Sequence, residues 1–334
     1  MSLDLTSQYL GGKTLGIFGA GHLGRALAEG LLRVGLPRKQ MAICHRGTQT
    51  TRSQLCADGL DDLVVEAEHL VRRSRIVLYL VRPQHYAAIE KYRIRADCLF
   101  VSFLAGIPLK RIPVDVADDN RIRVMTSAPD TLQRRHGLAA LYATANADSE
   151  PMLEILESLG MRIVVLTREA DIHAFTVLGP CLPIALTYWS RLGNTIDEHE
   201  ILETACKHAL PDCDVILQWA LSTRSLSFSN DEGSGYLTEA VTPGGVTDAI
   251  ISGMKNGMRF SQALERGIER SRELARSGDR MIKVLALLCV VGLALGAALA
   301  QSALSKTNFT FNNPIPNIPG KSILAVIVNY PPGK

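Results

Sequence analysis

The sequence predicts an α/β N-terminal domain built on a largely parallel sheet, followed by an all-α domain. Three observations predict it. Over residues 14–168, short apolar runs alternate with stretches of helical spacing, the pattern of βαβ units. The glycine motif Gly19-Ala20-Gly21-His22-Leu23-Gly24 stands between the first such run and the first such helix. From Asp171 onward strand signals become scarce and long helical periodicities take over.

Leu15-Gly16-Ile17-Phe18 reads as the first strand. Leu23, Leu27, Leu31 and Val34 then share one helical face, and Gly35 is the expected stop. Met41 to Cys44, Ile76 to Val81, Leu99 to Phe103, Arg123 to Met125, Leu138 to Tyr142 and Met161 to Val165 read as further strands. In the second domain the spacing predicts helices over Phe175 to Leu192, Glu198 to Leu210, Asp212 to Thr223 and Thr247 to Ser277. The expected organisation is an extension at 1–13, an α/β domain at 14–168, a helical domain at 169–280, an apolar segment at 281–300 and a poorly ordered tail at 301–334.

The 334 residues suffice for two domains with cores of their own. A net charge of +3 with short, acid-flanked basic clusters argues against nucleic-acid binding. No aromatic residues interleave with those clusters as stacking platforms. The seven cysteines form no CxxC pair and have irregular spacing, so neither a disulfide framework nor a zinc or other metal site is expected. Reduced thiols in a cytoplasmic protein are the default expectation. Met1 to Lys13 has no apolar core of a secretory signal.

GxGxxG after a strand and before a helix is a dinucleotide-binding pattern of Rossmann type. Gly19 would make the tight turn, Gly21 would let the backbone approach a pyrophosphate, and Gly24 would allow helix–strand packing. His22 and Leu23 open the helix whose N-terminus favours phosphate. At the end of the second strand an NAD site usually carries an acid, and Cys44-His45-Arg46-Gly47-Thr48 carries none. Arg46, helped by His45 and Thr48, is suited to a 2′-phosphate. NADPH is therefore favoured, with NADH as the alternative. The strand ends at Val81-Arg82-Pro83, Ala105-Gly106 and Ser127 should line the nicotinamide side of the cleft.

Thr242-Pro243-Gly244-Gly245-Val246-Thr247 precedes a helical stretch. Its glycines can turn amides toward an anion, and the Thr247 hydroxyl can meet a substrate nitrogen. The bland alternative is an N-capping turn with Thr247 as the cap.

The motif order resembles the pyrroline-5-carboxylate reductase family over roughly Thr14 to Arg276. The motifs are those above, with Gly179-Pro180 and Glu269-Arg270-Ser271-Arg272-Glu273-Leu274 between and after them. The resemblance implies a Rossmann domain followed by a helical dimerisation domain, and a homodimer or a higher oligomer of dimers. It implies reduction of a cyclic imino acid to L-proline with NAD(P)H. Thr242, Gly244, Gly245, Val246 and Thr247 would then hold the substrate, the Gly245, Val246 and Thr247 amides meeting its carboxylate and the Thr247 hydroxyl lying near the imine nitrogen as the catalytic contact. Departures at Thr176 to Leu182, at Ser127 and at Arg82 bear on the substrate more than on the cofactor, and point to a paralogue acting on a related cyclic imine. A β-hydroxyacid dehydrogenase would need a lysine early in the second domain, and Asp171 to Leu192 has none. A non-catalytic NADP-binding protein with an eroded pocket is the remaining alternative.

Val284 to Leu299 lacks any charge and is followed by Ala298-Leu299-Ala300 overlapping its end. With Lys283 before it, the segment resembles a signal peptide, and the residues beyond faintly resemble the opening of a secreted cupin domain. A membrane anchor and a buried core helix are the alternatives.

Overall fold

The computed structural model describes residues 9–227, 241, 243–276, 308–314 and 322–327. The chain to Arg276 forms one compact unit, and the chain from Ser277 forms another.

In the first unit, seven strands form one sheet in the order β2-β1-β3-β4-β5-β6-β7. They are β1 Thr14–Phe18, β2 Met41–Cys44, β3 Ser74–Tyr79, β4 Leu99–Ser102, β5 Arg121–Thr126, β6 Gly137–Ala143 and β7 Met161–Val165. All neighbours are parallel except β5 and β6. Between those two lies α4 (Pro129–Gln133), whose five residues and flanking turns are too short for a parallel crossover. The chain therefore returns antiparallel.

Helix α1 (His22–Arg33) follows the glycine turn. Gly35 ends it as expected, with the Leu36 N–H donating to Leu31 O at 3.0 Å and the Gly35 N–H to Leu32 O at 3.1 Å. These are the two bonds of a Schellman motif. Helices α2 (Gln49–Ala57), α3 (Ala67–Arg73) and α5 (Glu150–Ser158) complete the α/β layers. Leu15, Ile17, Ile43, Leu78 and Val101 fill one face of the sheet, and Phe18, Val77, Tyr79 and Phe100 the other.

The helical region packs against the β6–β7 end of the sheet. Leu138, Ala140 and Val164 share a core with Phe175, Leu178, Trp219 and Leu264. The helix expected over Phe175 to Leu192 starts earlier, as α6 (Ile172–Thr176), and passes through a π turn at Val177–Cys181 into α7 (Leu182–Arg191). Pro180 lies inside that turn. It has no N–H to donate, and widening by one residue relieves its ring against the preceding turn. The whole run Glu169–Arg191 has the length and hydropathy of a membrane span, but 72% of its apolar window is buried in the protein, as a core helix is.

α8 (Glu198–Lys207) and α9 (Cys213–Ser227) follow. The single helix expected from Thr247 to Ser277 is instead two, α10 (Val246–Lys255) and α11 (260–276). Gly257 breaks it at φ +80°, and the Met258 N–H closes on Gly253 O at 3.1 Å. In the second unit, β8 (Asn308–Pro314) pairs antiparallel with β9 (Ser322–Ile327). The β-branched and aromatic content of Phe309, Phe311, Ile323, Val326 and Ile327 favours pairing over coil. The apolar run at 281–300 lies outside the described residues.

Candidate functional site

Gly19 stands just beyond β1, with its N–H donating to Cys44 O at 3.0 Å. Its φ of +121° and a would-be Cβ 2.7 Å from the Leu80 carbonyl leave no room for a side chain. Beside Gly21 the space is open: no atom of the described residues lies within 4 Å of a would-be Cβ. Gly21 is the N-cap of α1, no side chain caps it, and the first turn has no acid. His22 and Leu23 thus open a helix whose first amides have no intrahelical partners. Gly24 packs against β1, with a would-be Cβ 2.1 Å from Gly19 O. The arrangement fits a pyrophosphate.

At the end of β2, Arg46 is exposed, and its Nη1 donates to His85 Nε2 at 2.6 Å. His85 was missed by the sequence reading. Its signal is its place in the turn after β3, at the carboxyl end of the sheet. Burial, with Arg52 adding to it, lowers the His45 pKa, and its Nδ1 accepts the Gly47 N–H at 3.0 Å. Thr48 caps α2, accepting the Thr51 N–H at 3.4 Å, so its hydroxyl serves the helix. Val81, Arg82 and Pro83 lead into a short 3-10 helix, Pro83–Ile89. The buried Tyr79 hydroxyl donates to Tyr86 O at 3.0 Å and ties that helix to β3.

Ala105 and Gly106 follow β4. A half-buried ion pair holds their turn: Arg123 Nη1 donates to Glu169 Oε1 at 3.0 Å, Arg123 Nη2 to Leu104 O at 3.3 Å, and the Leu109 N–H to Glu169 Oε1 at 2.7 Å. Arg123 is 2% exposed, and burial lowers its pKa against the opposing pull of Glu169. Sequence reading placed Arg123 only as the start of a strand and did not name Glu169, because a charged residue inside a strand gives no signal of where its mate lies. Ser127 is buried. Its Oγ accepts the Leu138 N–H at 2.9 Å and lies 2.6 Å from Thr131 Oγ1. That hydroxyl shapes the β5–α4 turn from the inside.

Thr242 lies outside the described residues. Gly244 takes φ +71° and Gly245 is the N-cap of α10. Thr247 is therefore the second residue of the helix, and capping is not its role. Its hydroxyl instead donates to Cys181 Sγ at 3.4 Å, which leaves the oxygen free to accept. Cys181 is buried, and burial pushes its thiol up to about 11, so it stays neutral. The π turn places Cys181 there, and a heptad reading cannot foresee that register shift. The Val246 and Thr247 amides open α10 as His22 and Leu23 open α1. The Gly244 N–H is taken, however, donating to Asp248 Oδ2 at 2.8 Å.

A cleft of about 960 Å³ brings the two ends together. His22 and Leu23 line it with Ala105, Ser127 and Thr247, against Cys181, Ile184 and Trp219. Its volume lies near the top of the roughly 300–1,000 Å³ usual for small-molecule sites. Of the other residues read from the sequence, Gly19, Gly21, Gly24, His45, Arg46, Val81, Arg82, Pro83, Gly106, Gly244, Gly245 and Val246 are not among its lining residues.

Residues 14–106 match the family described as NADP oxidoreductase coenzyme F420-dependent. Pyrroline-5-carboxylate reductase of Pisum sativum is 26% identical over 274 residues, covering 78% of this chain and 96% of that protein. The Methanosarcina acetivorans protein of that name is 24% identical over 271 residues, covering 78% and 98%. Among solved structures, 1-pyrroline-5-carboxylate reductase from Streptococcus pyogenes covers 78% of this chain and 98% of its own, at 19% identity and a TM-score of 0.49. The chain is thus similar to pyrroline-5-carboxylate reductases over nearly their full length, at low identity.

Proposed function

We propose that the chain is an NADPH-dependent reductase of a cyclic imine, either 1-pyrroline-5-carboxylate, giving L-proline, or a related imine. The observation that carries this reading is the Thr247 hydroxyl. It stands at the head of α10, free of capping duty and facing the same cleft as the ends of β4 and β5. Gly21, the α1 amides and Arg46 would hold the cofactor, Arg46 through a 2′-phosphate. When bound, the nicotinamide supplies hydride to the imine carbon. Thr247 Oγ1 would accept the N–H of the protonated imine and fix the face presented for reduction. Ala105, in the turn braced by Arg123 and Glu169, would set one wall. Most of the rate then comes from positioning, with no covalent step on the protein. A homodimer remains part of this reading.

The test is NADPH oxidation with a panel of cyclic imines, run beside direct NADPH binding. Turnover of one or more imines supports the reading. Tight binding without any turnover sinks it in favour of a non-catalytic nucleotide-binding protein.

A further inference from the structure

Asp248 is the third residue of α10, directly after Thr247. Its carboxylate accepts the Gly244 N–H, so the loop expected to receive a substrate anion already receives one from its own chain. Arg270 reaches the same loop but spends itself there. Its Nε and Nη2 both donate to Gly244 O, at 2.9 and 2.7 Å, and its Nη1 donates to Glu273 at 3.0 Å. The cleft adds to this. Among its described lining residues, Arg25 is the sole lysine or arginine, and it is paired with Asp58. Glu29, Asp58 and Asp130 give three carboxylates against that one guanidinium. The opposite wall is apolar, with Ile184 and Trp219 beside Thr223, whose buried hydroxyl has no partner among the described residues. Thr247, donating to Cys181, offers its oxygen as an acceptor, which suits an N–H rather than a bare nitrogen.

We infer that the substrate is a cyclic imine without a carboxylate, bound as its iminium cation, and that Asp248 is the residue that disfavours imino acids. The inference rests on the imine-reductase reading and names the substrate class within it. The positive end of α10 can offset one carboxylate, and a second at the same place meets like charge. An iminium meets the opposite sign, and an aromatic wall at Trp219 adds attraction for a cation.

The experiment compares 1-pyrroline with 1-pyrroline-5-carboxylate, which differ only by the carboxylate, in NADPH oxidation by the full chain. In the parent protein the kcat/KM ratio should favour 1-pyrroline by about tenfold or more. In Asp248→Asn, which keeps an oxygen to accept the Gly244 N–H, that ratio should fall by about tenfold. A companion measurement needs no variant: with NADP⁺ present, pyrrolidine should raise the melting temperature more than L-proline does. Efficient reduction of 1-pyrroline-5-carboxylate with a ratio unmoved by Asp248→Asn overturns this inference and leaves the imine-reductase reading standing. NADPH binding with neither imine reduced overturns both.

Discussion

Thr247 combines two separable properties, a place in a helix and a hydroxyl facing a cleft. Because Gly245 is the N-cap, removing the hydroxyl should cost the helix little. Thr247→Ala and Thr247→Val should therefore lower kcat/KM for the imine substrate by about tenfold to a few hundredfold, with NADPH affinity nearly unchanged. If instead both variants lose stability and keep their specific activity, the hydroxyl is structural. Arg46 gives a second test. Arg46→Ala should weaken NADPH by about 1.5–3 kcal/mol and leave NADH much less affected, because a charge-assisted phosphate contact is lost. Titrations of both nucleotides check it, and an undiminished NADPH preference would remove Arg46 from the site. His173 sets a pH limit on the fold. Burial, reinforced by Arg123, Arg272 and Arg276, holds its imidazole at about 4, below the ordinary 6.5. Its Nδ1 lies 2.9 Å from Ser271 Oγ. The unfolded chain takes up this proton first on acidification. Stability is thus full above about pH 6.5 and is lost as pH falls toward about 4, by up to about 2 kcal/mol after solvent screening. Urea midpoints across that range should fall less in His173→Asn than in the parent protein.

The strands and α1 were legible because their signals are local: an apolar run, a glycine turn, a helical face. β2 agrees with its predicted span residue for residue, and Gly35 ends α1 as read. What was not legible depends on partners distant in sequence. The Arg123–Glu169 pair, the meeting of Thr247 with Cys181 and the link from Arg46 to His85 each join residues dozens of positions apart. The π turn was hidden for another reason: Pro180 in an apolar run signals a break, but here the run absorbs it by widening. That turn is seated by close packing. A would-be Cβ on Gly267 of α11 lies 2.5 Å from Ile250 of α10 and 3.2 Å from Val177 of the π turn. Gly267→Ala should push α10 away from the π turn, cost about 1–3 kcal/mol of stability, and lower imine turnover through the displaced Thr247. Thermal unfolding and kcat/KM should both fall. A stability loss with unchanged turnover would separate helix packing from the site.

The domain boundary expected near residue 168 does not divide the structure into independent cores. β6 and β7 belong to the sheet, yet Leu138, Ala140 and Val164 pack with Phe175 and Trp219. Glu169 reaches back to Arg123 and Leu109 across the same boundary. The α/β and helical regions should therefore unfold as one cooperative transition. The second unit, beginning at Ser277, differs in kind: its described part is a two-stranded antiparallel pair, which alone is marginal in water. Every residue proposed here for cofactor or substrate lies before it. A chain ending at Arg276 should fold, bind NADPH and reduce the imine as well as the full chain does, within about twofold, since surface changes away from a core or site usually move stability by less than about 0.5 kcal/mol. Circular dichroism, melting and imine kinetics on the two lengths decide it. A shortened chain that fails to fold would give the segment from Ser277 onward a structural role. One that folds and binds NADPH but loses turnover would show that the segment helps complete the cleft.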